Sequence, residues 1–262
     1  MFLPEQPGLM QKSTTAEDES MKTIAIMGSK PDSMLPDSHI TYFVNGSVTL
    51  FSDSIPPDME VIHFVNGNSI RNYERIGRYQ KSGAPVGTLI SDMERYAHTR
   101  FVLYNTENNN SVSILTDLGV PRGNIRVIPR RERDQILRQI TGYRMPLGII
   151  DAWKELSTYE FSRLCFSGIF KRNILQRKDY SPYFRPSSGI FAVLFAIYEH
   201  GYNNIYEIAG ISFQKRDIYK VSHRVIRTDM ENKINLQWHI LPDRIVVQRL
   251  MENERVNLSV HE

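Results

Sequence analysis

Apolar residues along this chain come in short, unbroken runs that end in turn-forming residues. Thr23-Ile24-Ala25-Ile26-Met27 runs into Gly28-Ser29-Lys30-Pro31, and Ile40-Thr41-Tyr42-Phe43-Val44 into Asn45-Gly46. Val61-Ile62-His63-Phe64-Val65 ends in Asn66-Gly67, Phe101-Val102-Leu103-Tyr104 in Asn105, and Ile125-Arg126-Val127-Ile128 in Pro129. A continuous apolar run of this length is the pattern of a strand covered on both faces, as in a parallel sheet. The connections between the runs are long enough to be crossovers. The expected fold is therefore α/β: a single Rossmann-like domain with a mostly parallel sheet.

From Arg130 to Phe170 the spacing becomes helical, and two helices are expected. Lys171 to Arg185 is basic and aromatic and reads as a loop. The strongest helix signal follows. Pro186-Ser187-Ser188-Gly189 leads into Ile190-Phe191-Ala192-Val193-Leu194-Phe195-Ala196-Ile197-Tyr198, and Gly201 stops it. Ser187 or Ser188 suits the N-cap, and an apolar surface nearly all round predicts a buried helix. Ile205-Tyr206-Glu207-Ile208 is a further strand ending near Gly210. Ile234 to Ile240 and Arg244 to Gln248 read as a terminal hairpin-like pair.

These elements divide the chain into a flexible tail over residues 1–20 and one domain over 21–262, opening at Met21. Lid segments are expected near 131–185 and 214–232. The tail carries Glu5, Glu17, Asp18 and Glu19 and has no apolar core, so it is not read as a signal peptide. The best apolar run, Ile190 to Tyr198, is about half of the ~18–20 residues a membrane span needs. A single cysteine, Cys165, allows no internal disulfide and points to a reducing, cytoplasmic setting. With 41% hydrophobic and 23% charged residues the chain is globular rather than disordered. The net charge of +3 does not argue for nucleic acid. Basic residues do concentrate at 126–144 and 171–185, where an anionic ligand can be met.

Ligands of open α/β sheets sit beyond the carboxyl ends of the strands. Gly28, Asn45 and Asn66 stand there. Gly28 allows close backbone approach; an asparagine can read a base edge or a ribose hydroxyl, or simply form a turn. Neither a P-loop nor a G-x-G-x-x-G fingerprint is present. Ser187, Ser188 and Gly189 open a helix, which serves either as an anion site or as an ordinary cap. His223, four residues after Tyr219, is a candidate general base set in a charged segment. No D-x-D, H-x-x-x-H or G-x-S-x-G occurs, so neither a metal nor a hydrolase elbow is expected.

The block Arg185-Pro186-Ser187-Ser188-Gly189-Ile190, with Gly201-Tyr202-Asn203-Asn204-Ile205-Tyr206 and Gly210-Ile211-Ser212-Phe213, resembles the core of bacterial sialyltransferases of glycosyltransferase family 42. It is also similar to the short sialyl motif of family 29. In those enzymes a Thr/Ser-Ser-Gly opens a helix, a Gly-Tyr precedes a strand, and a Gly-Ile-Asp-Phe-like end follows. The resemblance implies a sialyltransferase-like variant of the GT-A fold in bacterial polysaccharide biosynthesis. It implies a metal-independent, inverting transferase without a cofactor, moving a sialic acid or Kdo-type sugar from a CMP-activated donor to a hydroxyl of an acceptor oligosaccharide or lipid-linked glycan. Gly28, Ser29, Asn45 and Asn66 would hold cytidine and ribose. Ser187, Ser188 and Gly189 would receive the phosphate, with Tyr206 and Ser212 beside the donor. His223 would be the base and Tyr219 would assist the leaving group. With a lipid-linked acceptor, a weak peripheral membrane association is compatible. Two other readings stay open: a non-catalytic nucleotide- or glycan-binding module, and a transferase using a UDP-type donor.

Overall fold

The computed structural model describes residues 20–30, 33–71, 85–104, 110–142, 186–211, 213 and 243–261, with Thr158 and Ser162. Its centre is one seven-stranded sheet. The strands are β1 (Thr23–Met27), β2 (Ile40–Val44), β3 (Glu60–Asn66), β4 (Arg100–Tyr104), β5 (Ile125–Ile128), β6 (Ile205–Ala209) and β7 (Asn257–His261). They lie in the order β5-β4-β3-β2-β1-β6-β7, and every pairing is parallel. The five apolar runs before residue 130 are thus strands β1 to β5. Their unbroken hydrophobicity is explained by burial on both faces: Ile24 to Met27 and Ile40 to Val44 are all buried.

The helices form two layers. On one face lie α1 (Gly67–Arg71), α2 (Pro85–Ser91), α3 (Met93–Tyr96) and α4 (Ser111–Asp117). There Met27, Phe43, Val65 and Leu103 of the sheet pack with Leu89, Ile90, Met93 and Leu115. On the other face lie α5 (Arg130–Thr141), α6 (Ser188–His200) and α7 (residues 243–251). Ile24, Tyr42, Phe64 and Ile208 pack there with Ile136, Phe195 and Val246. The division follows from the path of the chain. From β1 to β5 it steps steadily to one side; it then returns past β1 to place β6 and β7 on the other. Right-handed crossovers stepping in opposite directions put their helices on opposite faces.

Helix α6 is apolar all round because the sheet covers one side and α5 and α7 the other. Every residue from Gly189 to Ile197 is buried. Each large side chain contributes roughly 1.5–3 kcal/mol by leaving water. Ser187 caps the helix, its Oγ accepting from the Ile190 amide at 3.4 Å, and Gly201 closes it.

Two expectations change. Arg244 to Gln248 is not half of a hairpin: it lies in α7, and the chain then enters β7, parallel to β6. Ile245, Val246 and Val247 look strand-like because they are β-branched, but that costs only a few tenths of a kcal/mol each in a helix. Burying Val246, Val247 and Leu250 against the core outweighs it, and a parallel neighbour for β6 requires a crossover. The other half of the supposed hairpin, Ile234 to Ile240, lies outside the described residues. The second correction concerns the segment assigned to a lid from residue 131. It opens inside α5, whose Ile136, Leu137 and Ile140 are buried in the core. From residue 143 onward that segment, apart from Thr158 and Ser162, lies outside the described residues, as do the tail over 1–19 and the segment 214–232.

Candidate functional site at the carboxyl edge of the sheet

Strands β1 and β6 are neighbours whose chains depart in opposite directions, β1 toward β2 and β6 toward β7. This is the topological switch point, where open α/β sheets hold their ligands. Two glycines make the approach of these strand ends possible. A Cβ on Gly28 would lie 2.0 Å from the Gly210 carbonyl oxygen, and one on Gly210 would lie 2.8 Å from that of Gly28. The Gly28 amide donates to Ala209 O at 2.8 Å, and the Lys30 amide to Gly210 O at 2.9 Å. The β1–β6 ladder therefore continues one step beyond the strands. Gly28 is buried, while Ser29 and Lys30 are half-buried at the rim.

The neighbouring strand ends are tied to one another. Asn45 has a left-handed backbone, φ 49°, which asparagine tolerates better than most residues. Its amide donates to Phe64 O at 3.0 Å, and its Oδ1 accepts from the Asn66 amide at 3.0 Å. Asn45 thus forms the turn and also clamps the end of β2 to β3. Ser47 Oγ donates to Met27 O at 2.8 Å and fastens the same corner to β1.

Helix α6 brings its first turn to this edge. Gly189 lies against Ile211, the residue after Gly210: a Cβ there would lie 2.5 Å from Ile211 Cδ1. Ser188 Oγ is hydrogen-bonded to the Tyr104 hydroxyl at the end of β4. Tyr104 is in turn the register partner of Asn66. Paired residues of a parallel ladder leave the same face of the sheet. Asn66 and Tyr104 therefore both stand on the face that α6 covers. Gly28, Gly189, Ser188, Asn66 and Asn45 consequently follow one continuous edge.

The first amide of this region already has an acidic partner. Asp243, the first described residue of α7 and 3% exposed, accepts from the Ser187 amide at 2.6 Å through Oδ1. A buried carboxylate thus stands where the sequence leaves room for a ligand anion.

Comparison of the chain with protein-family models, with curated proteins and with solved structures finds no match.

Of the residues singled out from sequence, Gly28, Ser29, Asn45, Asn66, Ser187, Ser188 and Gly189 are brought to the carboxyl edge. Tyr206 is not. It pairs with Ile24 near the start of β1, three residues before the level of Met27 and Ala209, which is about 10 Å at the strand rise. It is fully buried, its hydroxyl donates to Gly201 O, and burial pushes its ionisation up to about 12. Its role is in the core. Ser212, Tyr219 and His223 lie outside the described residues. Arg126, in a basic stretch expected to meet an anion, is already engaged. It pairs with Glu199 and with Glu132, the latter at 2.9 Å, and lies 4.9 Å over the Phe195 ring.

Tyr104 and Asp243 were missed. Tyr104 ends an apolar run as Asn45 and Asn66 follow theirs, and that position was a usable signal. Asp243 follows Pro242 and precedes an apolar run, a helix-start pattern hidden by reading the next residues as a strand. Among the described residues no group of three or more His, Cys, Asp or Glu is placed to hold a metal ion. No helix among them is long and apolar enough to cross a membrane.

Proposed function

We propose that this chain is a glycosyltransferase that takes a CMP-activated sugar of sialic acid or Kdo type and transfers it, with inversion, to a hydroxyl of an acceptor glycan. The observation that supports this reading best is the meeting, at the switch point between β1 and β6, of three sequence-distant strand ends and the start of a buried helix. In this reading the nucleoside lies along the edge formed by Gly28, Ser29, Asn45 and Asn66. The Asn66 side chain carries both a donor and an acceptor for base or ribose, and Asn45, whose Oδ1 is taken by the Asn66 amide, adds its Nδ2 as a donor. Ser188 and Gly189 face the single phosphate of the donor. The departing CMP carries one phosphate, whose charge amides and hydroxyls can meet without a bound cation. His223 accepts the proton of the acceptor hydroxyl as the sugar carbon develops cationic character, and Tyr219 supports the leaving phosphate.

A nucleotide screen by thermal unfolding tests the reading. Ligand at a hundred times its dissociation constant stabilises by about 2.7 kcal/mol, a readable shift. Selective stabilisation by CMP over UMP, GDP and NAD is the expected result. A preference for UMP or UDP replaces the CMP donor with a UDP type, and no response to any nucleotide refutes the reading.

One observation favours a second reading. The Asp243 carboxyl already occupies the Ser187 amide, which leaves one donor fewer for a phosphate and suits a nucleoside or glycan. A non-catalytic binding module would then be stabilised by cytidine as strongly as by CMP.

A further inference from the structure

The bond between Tyr104 and Ser188 joins a buried residue to the rim of the candidate site. Tyr104 is 5% exposed. Its ring stacks on Phe64, with centroids 5.2 Å apart, and meets Phe191 edge-on at 5.5 Å. The ring is thus fixed by its apolar neighbours, and a phenylalanine would fill the same space. What the tyrosine adds is a hydroxyl, and that hydroxyl meets Ser188 Oγ.

Proton counting gives this bond a direction when an anion is near. Each hydroxyl has one hydrogen and can also accept. If Tyr104 donates into Ser188 Oγ, the serine hydrogen is left to point along the rim, and the chained bonds polarise one another. The neighbouring serine is engaged differently. Ser187 gives its amide to Asp243, and its Oγ accepts from the Ile190 amide. Ser188 is half-buried; it precedes Gly189, which packs against Ile211, and it is bonded to Tyr104, whose register partner is Asn66.

We infer that Tyr104 is a positioning residue: it orients the Ser188 hydroxyl as a hydrogen-bond donor to the phosphate of a nucleoside monophosphate, or its sugar conjugate, lying along this edge. The inference rests on the nucleotide reading above and adds the group that confers preference for a phosphate over a bare nucleoside. Because Asp243 already takes the Ser187 amide, that amide does not supply the preference, and the hydroxyl pair does.

The test is calorimetric titration of the full chain with CMP and, separately, with cytidine. It uses the wild type, Tyr104→Phe, Ser188→Ala and the double variant. The wild type is expected to bind CMP more tightly than cytidine. Each single variant is expected to lose about tenfold in CMP affinity, the value of one hydrogen bond to a charged group, while its cytidine affinity stays unchanged. Unchanged cytidine binding also shows that the variant is folded. The double variant is expected to be no weaker than Ser188→Ala alone, since the tyrosine acts through the serine. The inference is overturned if Tyr104→Phe leaves CMP affinity intact, if it weakens both ligands equally, or if the single losses add. If the wild type binds both ligands equally, the nucleoside site stands and the phosphate contact falls. If it binds neither, the nucleotide reading itself falls and takes this inference with it.

Discussion

His63 lies in the middle of β3, fully buried, and neither ring nitrogen has a hydrogen-bond partner. Its ring sits between Phe101, with centroids 4.5 Å apart, and Tyr96, at 5.3 Å. Burial, with a smaller contribution from His98, pushes its ionisation down to about 3 from the ordinary value near 6.5. The unfolded chain therefore takes up a proton below pH 6.5 that the native chain refuses. Stability is fully present above that value and is lost as the pH falls from 6.5 toward 3, with a slope approaching 1.4 kcal/mol per pH unit. Between pH 7.5 and pH 5 this amounts to about 2 kcal/mol, with a ceiling of roughly 5 kcal/mol at more acid pH. His63→Leu keeps the apolar contacts and removes the titrating group. Urea unfolding of both proteins, followed by far-ultraviolet circular dichroism at several pH values, reads the difference. The variant is expected to be at least as stable at pH 7.5, because two unpaired buried nitrogens are gone. It is also expected to lose about 2 kcal/mol less on moving to pH 5. Parallel declines in the two proteins would show that His63 titrates normally or finds a partner, and the reasoning would fail.

Three further outcomes follow, two from the site and one from the proposed function. Gly28→Ala forces a Cβ to within 2.0 Å of a backbone oxygen, so β1 and β6 must separate; a stability loss of about 3 kcal/mol or more is expected, and an unchanged urea midpoint would contradict the close approach. Asn45→Ala loses both the clamp on the Asn66 amide and an easily tolerated left-handed turn, at about 1–2 kcal/mol; Asn45→Gly keeps the turn, so in the same unfolding assay it should recover part of that loss. If the proposed function holds, His223→Ala lowers sugar transfer by at least about 100-fold while CMP binding persists, and comparable turnover in the variant would remove His223 from the role of base.

How far the fold could be read from sequence depended on how many faces of each element are buried. Strands β1 to β4 are covered on both sides, so their runs are unbroken, and turn-forming residue types follow each run in the sequence and mark its end. Helix α6 was equally plain because it is enclosed and carries its cap and stop in adjacent residues. At β7 the same logic fails. It is an edge strand whose residues are only partly buried or exposed, so Asn257 to His261 carries no apolar run. The preceding α7 shows β-branched residues to the core, and its period is concealed by Ile245-Val246-Val247. Burial there depends on α6 and β6, which local pattern does not contain. Strand order is invisible for the same reason: the return of the chain past β1 decides where the switch point lies, and no local sequence signal marks it.

The site was legible where function and backbone geometry coincide, and obscure where a side chain answers to a distant partner. Gly28 and Asn45 stand out because glycine and asparagine suit close approach and a left-handed turn whether or not a ligand is present. That same fact limits what they say about chemistry, since Asn45 Oδ1 is already used by the Asn66 amide. Tyr206 misled because a tyrosine in a motif suggests a ligand, yet its place early in β6 fixes it at the wrong end of the strand. Asp243 carries the opposite lesson. Seen alone, the start of α6 is an anion site; with Asp243 3% exposed and 2.6 Å from the Ser187 amide, part of that potential is already met from within the chain. A ligand phosphate at this edge must therefore find donors other than the Ser187 amide, which the Asp243 carboxyl already occupies. Ser188, whose hydroxyl is bonded to Tyr104 on the side of β4, is the group that offers one. The comparison of CMP with cytidine is accordingly the measurement on which the chemistry of this edge turns.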